Sequence, residues 1–421
     1  MDRFQGLFGI LLILGIAFLF SNNKKRINYR LVISGISLQI FIALLVLKVP
    51  PITAFFQKIG HGMEKIEIFA RNGASFVYGG LGVQQLDGTI GNYVNGGFVF
   101  AFNVTATIIL VCVLVAMLYH IGLMQRVVSL VAKAMNYVMR VSGAEALSNV
   151  ASAFVGQVEA QVMIRPYLAG MTKSELLASM SGSLACIAGG ILVVYVNMGA
   201  QAGYDLAPKL IAASLMAAPG ALVISKIIFP ETEESQTMGK VKLEVKSQYT
   251  NIVDAISHGA SDGFKISMNV IAMLIGFIAL ITMIDWSLMK VAHLFNPNFD
   301  LSLNWIFGKI FYPVAWSMGV PTQDVNSVAT LLGQKLTINE FVAFQNLANK
   351  SVPIVTEKGL LILSIAICGF ANFSSVGMQI GGIGELAPTR RADLARLGLK
   401  ALLCGTLASY LSATIAGILM G

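Results

Sequence analysis

Eight stretches of predominantly apolar residues recur along the chain, at about 4–20, 31–49, 97–119, 175–200, 205–229, 264–285, 357–382 and 397–420. A helix needs about 20 such residues to cross the hydrocarbon core of a bilayer, and each stretch meets that length. Backbone groups in lipid must be satisfied internally, so a chain of this kind folds as packed helices. Of the 421 residues, 56% are hydrophobic and 12% are charged. Ordinary soluble domains carry about 25% charge, so that class is excluded. The expected fold is an all-α polytopic membrane protein with eight transmembrane helices, multi-pass in the cytoplasmic (inner) membrane. The first stretch starts like a signal peptide, but it lacks a small-residue cleavage site and is followed by the basic run KKRINYR. It is expected to remain in the mature chain.

The net charge of +8 is concentrated in loops, as the positive-inside bias of membrane proteins requires. Lys24, Lys25, Arg26 and Arg30 form an acid-free loop that this rule assigns to the cytoplasm. Arg126, Lys133 and Arg140 lie along an amphipathic stretch read as an interfacial helix on the same side. The loops carrying Lys240, Lys242 and Lys246, and Arg390, Arg391, Arg396 and Lys400, fall on that side too, which leaves both termini outside. No basic stripe interleaved with aromatics is present, so a nucleic-acid partner is not expected. Cys112, Cys186, Cys368 and Cys404 show no CxxC spacing, and the four histidines are scattered. Neither a disulfide framework nor a zinc site is expected.

Two moderately apolar stretches with polar centres remain, about 145–168 and about 325–348. With eight spans in place, each must leave on the side from which it enters, which makes them oppositely oriented re-entrant hairpins. Irregular backbone at that depth is tolerated only where protein covers it or a wet cavity adjoins it. Each hairpin precedes a span rich in small residues, MSGSLACIAGG and ICGFANFSSVGMQIGG, and Glu159 and Glu340 are 181 positions apart. This order reads as an inverted repeat, an arrangement that places a substrate site near the bilayer midplane.

Glu159 and Glu340, with Gln157, Asn339 and Asn372, are the intramembrane polar groups to be explained. A carboxylate at the bilayer centre costs about 2.5 to 3.5 kcal/mol on insertion scales, so such groups are usually functional. The plainer alternative is that they cap hairpin tips. Asn372 and Ser375 stand at i and i+3 and so share a helix face. A ligand met by carboxylates and amides without arginine is neutral and rich in hydroxyls. A carboxylate accepts from two vicinal hydroxyls, and a glutamine amide matches a nucleobase edge. Those features describe a nucleoside.

The segment GQKLTINEFVAF, Gly333 to Phe344, resembles the G-x-K-x-x-x-N-E-F-V-A signature of the concentrative nucleoside transporter family at every fixed position. Further similar stretches are RNGASFVYGG at 71, FAFNVTATIILVCVLVAMLYHIGLMQ at 100, GQVEA at 156, NIVDAISHGASDGFKISMNVIAML at 251, YPVAWSMGVP at 312 and CGFANFSS at 368. The resemblance implies a homotrimer whose protomers import nucleoside by alternating access, driven by a cation gradient. It implies that Gln157 and Val158 contact the base, that Glu340, Asn372 and Ser375 hold the ribose, that Phe370 and Ile191 line the pocket, and that Glu159 lies near the ligand through water. Phe341, Phe344 and Phe373 are read as packing.

The same resemblance divides the chain into scaffold helices over 1–96, a long span with an interfacial helix and trimer contact over 97–143, a first repeat over 144–230, and a cytoplasmic loop, interfacial helix and second repeat over 231–421. Its candidate sodium site maps to Ser152, Val155, Cys186 and Ile187. Sodium-coupled members have Asn and Ser at the positions of Ser152 and Cys186, and Thr or Ser at Val158. A thiol is a soft ligand that suits Na+ poorly, so the coupling ion is either Na+ or H+, the latter carried by Glu159 or Glu340. No cofactor is implied. An intramembrane hydrolase would show HExxH or a facing Ser/His pair, and neither is found. A passive channel would show carbonyl or charge rings.

Overall fold

A computed structural model describes residues 2–79, 100–154, 156–237, 249–297 and 299–420. Among them every regular element is helical. In chain order these are α1 (Asp2–Leu19), α2 (Tyr29–Lys48), α3 (Pro50–Tyr78), α4 (Phe100–His120), α5 (Leu123–Met139), α6 (Gly143–Ser152), α7 (Glu159–Val162), α8 (Arg165–Leu168), α9 (Lys173–Ala185) and α10 (Gly189–Gln201). They continue with α11 (Ala207–Ile228), α12 (Ile252–His293), α13 (Leu303–Ile310), α14 (Tyr312–Ser317), α15 (Val325–Thr337), α16 (Glu340–Ala348), α17 (Glu357–Ile367), α18 (Phe373–Leu386) and α19 (Arg391–Met420).

The expected spans map onto these helices with two corrections. The stretch 175–200 is two helices, α9 and α10, broken over 186–188, and 357–382 is α17 and α18, broken over 368–372. Apolar composition runs through both breaks and hides them. Gly369 marks the second break: its φ is +143°, and a Cβ there would stand 2.4 Å from the Ala185 carbonyl oxygen. Long, apolar helical segments cover Tyr29–Lys48, Lys173–Gln201, Ala207–Ile228 and Pro388–Met420. The third expected span, α4, bends by 76° into amphipathic α5, as an interfacial helix should. The sixth lies inside the 42-residue α12.

Helix α11 is the spine. Its 22 residues give about 33 Å at 1.5 Å per residue, close to the hydrocarbon thickness of a bilayer. It packs against α2, α9 and α19. Pro219 interrupts its hydrogen bonding, and Gln39 of α2 donates to the Met216 carbonyl (3.1 Å) and to Ser412 of α19 (2.9 Å). The carbonyl that Pro219 leaves without its helical donor is that of Leu215, and the Gln39 amide bonds the one beside it.

Both stretches left over from the span assignment turn back on themselves. The first, α6 to α8, begins and ends on the segment 230–237 that follows α11. Gly143 N donates to the Thr237 carbonyl (3.0 Å), and Thr172, just past α8, donates to Glu231 (2.8 Å). Buried Lys226, at the C-terminal end of α11, closes this base by pairing with Glu145 (2.8 Å) and Glu231 (3.3 Å). The second hairpin, α15 and α16, has its two feet joined by Asp324, which accepts from the backbone of Val355 (2.8 Å) and Thr356 (3.0 Å). That base adjoins the opposite end of α11, where Lys209 pairs with Glu357 (3.8 Å). The hairpins therefore enter from opposite ends of α11, as the inverted repeat requires.

Candidate binding cavity

The tips of the two hairpins, the two helix breaks and the paired helices α4 and α12 enclose a cavity of about 340 Å³. All eight expected binding residues line it: Gln157, Val158 and Glu159 from the first tip, Ile191 from α10, Glu340 from the second tip, and Phe370, Asn372 and Ser375 from the second break. They come from segments separated by up to about half the chain. The breaks touch: Phe370 N donates to the Cys186 carbonyl (3.3 Å).

Glu340 is held from two sides. Asn372 Nδ2 donates to its Oε2 (2.9 Å) and the Tyr195 hydroxyl donates to its Oε1 (3.3 Å). Tyr195 is itself fixed, fully buried and stacked on Phe344 at 4.2 Å. The alternative role of caps holds for the two asparagines. Asn339 caps α16 by accepting from Val342 N (2.9 Å), and Asn372 caps α18 by accepting from Ser375 N (2.9 Å). The i, i+3 spacing of Asn372 and Ser375 is thus that of a cap, and both residues line the cavity. One amide does both jobs, its oxygen on the cap and its nitrogen on Glu340.

At the first tip Gly156 has φ +127°, and a Cβ there would stand 2.4 Å from Glu159 Oε2. Glycine lets the backbone turn so that the Glu159 carboxylate folds over it and faces the cavity. Gln157 is buried, and its Oε1 has no hydrogen-bond partner. An unsatisfied buried acceptor costs about 1–3 kcal/mol, which a ligand donor would recover.

The sequence reading missed several cavity residues. Tyr195, Ser374 and Met378 line it without a signal in the sequence, and Asn339, conspicuous only as an intramembrane amide, lines it as well. Phe341, read as packing, lines the cavity as well, whereas Phe344 does pack. Phe373 is 53% exposed and does not fill core. The far wall is mostly apolar α4, with Asp262 of α12. Gly259 and Gly263 bring these helices together: a Cβ on either would lie within 2.8 Å of the α4 backbone. This G-x-x-x-G spacing is the signal that could have placed that wall.

Of the candidate sodium site, Val155 lies outside the described residues. Ser152 donates to the Ser148 carbonyl (2.7 Å) and its hydroxyl lies 2.8 Å from that of Ser183. Ser183 also accepts from Gln161 (2.8 Å), which accepts from Ser179 (2.7 Å). The Cys186 thiol lies against the Asn149 carbonyl at 3.8 Å. A sulfur is thus next to a cluster of hydroxyl and amide oxygens, of which Ser183, Gln161 and Ser179 carried no sequence signal. Among the described residues no group of three or more His, Cys, Asp or Glu is placed to hold a metal ion.

Three family descriptions match the chain: Na+ dependent nucleoside transporter N-terminus over residues 8–81, nucleoside recognition over 101–202, and Na+ dependent nucleoside transporter C-terminus over 209–417. The nucleoside permease NupC of Helicobacter pylori is 36% identical, over 98% of this chain and 97% of its own. Sodium/nucleoside cotransporter 1 of Mus musculus is 36% identical over 98% of this chain, which spans 63% of that longer protein. The transporter CNTnw, solved in an inward-facing substrate-bound state, is 38% identical and superposes with a TM-score of 0.90 over 100% of both chains.

Proposed function

The chain belongs to the concentrative nucleoside transporter family, and from that membership we propose that its cavity binds a nucleoside and delivers it inward by alternating access together with a cation. It is a transporter and not an enzyme, as its relatives are permeases and cotransporters. The observation that carries the reading is the convergence of both hairpin tips on one cavity around Glu340, whose oxygens are already held by Asn372 and Tyr195.

The ribose hydroxyls donate to Glu340, whose carboxylate stays aligned whether or not a guest is present. Such charge-assisted bonds are short and strong in a dry site. The free Oε1 of Gln157 accepts from the base edge, and Val158, Ile191 and Phe370 pack on its faces. A volume of about 340 Å³ lies at the lower end of the roughly 300–1,000 Å³ typical of small-molecule sites. The α4 wall offers Ile108, Val111, Val115 and Ala116, a surface without directional bonds past which the hairpins can shift with their guest.

The end of α11 bearing Lys226 is proposed to face the cytoplasm. The turn after α1 joins α11 there, with Asn22 N on the Ile228 carbonyl (2.9 Å), and Lys400 donates to Asn22 (2.9 Å). Arg390 donates to Met171 near the same base (2.6 Å). Basic loops gathered at one end follow the positive-inside bias.

For the cation, sodium is the first reading: the family descriptions carry it, and the Ser152 and Ser183 hydroxyls are hard oxygen ligands. The proton is the second, favoured by Cys186 beside that cluster and by Glu159 facing the cavity. Uridine uptake into proteoliposomes under an imposed sodium gradient, and separately a proton gradient, separates them. Uptake that needs sodium and ignores pH removes the proton, and accumulation under neither gradient removes coupled transport. Light scattering of the detergent-solubilised protein, corrected for bound detergent, should give three chains per particle, and a monomer would contradict the implied trimer.

A further inference from the structure

Lys335 is the one charged residue of the GQKLTINEFVAF segment to which the cavity gives no role. It lies in the last turn of α15, is 0% exposed, and its Nζ has no hydrogen-bond partner. A buried ammonium is costly unless a charge nearby compensates it. The helices packed against α15 are α13, α14, α16 and α17. Their titratable or charged groups are few. On α13, Lys309 lies over the Trp305 ring at 5.7 Å. Helix α14 has only Tyr312, and Glu357 and Lys358 stand at the start of α17, beyond which lies Cys368. Burial is the largest influence on Lys335, and the carboxylate of Glu340 on α16 is the charge that compensates it, the buried Cys368 thiol being neutral. Glu340 in turn is met by Lys335, Tyr195 and Asn372.

The repeat gives this lysine a counterpart. Helices α9 and α17 both end on a cysteine, Cys186 and Cys368, immediately before the break. Those cysteines are 182 positions apart, the two hairpin glutamates 181, and Ser152 and Lys335 183. In the first repeat the place beside the cysteine holds the serine and glutamine cluster around Ser152. In the second, Lys335 stands at the corresponding position along the sequence.

We propose that Lys335 is a built-in cation, standing in the second repeat where the first offers oxygen ligands, and that it keeps Glu340 an ionised acceptor for the ribose hydroxyls. This rests on the nucleoside reading of the cavity. Lys335 is a positioning residue, since it does not line the cavity. The second repeat then needs no mobile ion to hold its carboxylate charged in lipid.

The test is calorimetric binding of uridine to the full-length protein in nanodiscs, for wild type, Lys335→Met, Glu340→Gln and the double variant, between pH 6 and 8.5. Lys335→Met keeps chain length and apolar fit, and its melting temperature is read first. Without the ammonium, Glu340 takes up a proton as the pH falls and becomes a poorer acceptor. The ratio of wild-type to Lys335→Met affinity should therefore be about tenfold at pH 6, the loss expected for a weakened charge-assisted bond, and shrink toward pH 8.5. Taking the ratio cancels the contribution of the other acidic cavity groups, which both proteins share. In the Glu340→Gln background the lysine change should add nothing.

A ratio that does not move with pH, or losses that multiply in the double variant, would overturn the proposal while leaving nucleoside binding intact. Wild-type protein that fails to bind uridine would instead overturn the reading on which it rests. If Lys335→Met does not fold, Lys335→Ala supplies the second arm. Ethylammonium should restore its uridine affinity and tetramethylammonium should not, and equal effects of the two would refute a specific ammonium site.

Discussion

Glu340 shows how a residue that is expensive in lipid is kept usable. Its two oxygens are held by different elements, Asn372 from the second break and Tyr195 from α10, so its direction is set before any guest arrives. Hydrogen bonds to a charged group are worth about 1.5–3 kcal/mol, and Glu340→Gln keeps the shape but removes the charge. Uridine affinity should fall at least about tenfold, since each 1.4 kcal/mol is a factor of ten, and the melting temperature should fall too, because the buried Lys335 ammonium loses its compensating charge. Titration calorimetry measures the affinity and scanning calorimetry the melting temperature, and an undiminished affinity would remove Glu340 from the ribose contact. The glutamates and the Gln157 amide were legible in the sequence because polar groups in an apolar run are conspicuous. Tyr195 and Phe341 were not, because an aromatic residue in a hydrophobic helix looks like core until the fold turns it toward a cavity.

At the scale of elements, the broken helices bring the repeats together. Gly369 carries the crossing: its positive φ suits glycine, and the Ala185 carbonyl occupies the space a side chain would need. Gly369→Ala combines backbone strain of about 1–3 kcal/mol with that clash. It should lower the melting temperature in nanodiscs by several degrees and weaken uridine binding, because Phe370 and Asn372 move with the break. Gly377→Ala, inside α18 with nothing within 4 Å of the added carbon, is the contrast. It should be neutral or slightly stabilising, as alanine is favoured over glycine in a helix by about 0.5–1 kcal/mol. Equal melting temperatures for the two variants would count against a tight crossing. The breaks escaped the hydropathy reading because CIAGG and CGFAN are as apolar as the helices they interrupt.

The whole molecule pairs a buried body, built on α9, α11 and α19, with a wall of α4 and α12 across the cavity. Cys112 reports on that meeting. It is partly exposed and lines the cavity from α4, while Cys186, Cys368 and Cys404 are buried. A methanethiosulfonate reagent should modify Cys112 first, and saturating uridine should slow the reaction. Labelling at the same rate with and without uridine, or labelling of Cys186 before Cys112, would mean that nucleoside is not held between the hairpins and this wall.

Taken alone, the sequence determined the solvent this chain folds in, the presence of two polar-centred hairpins and the identity of the groups at their tips. Hydropathy and isolated polar residues are local properties, and lipid penalises any misplacement of them. Only the tertiary structure decided where the helices break, that each hairpin stands on its own end of α11, and which aromatic and glycine residues face the cavity. Those outcomes depend on contacts between segments as far apart as Tyr195 and Glu340, or Gly263 and Ile109. A periodic pattern along one segment holds no record of its partner.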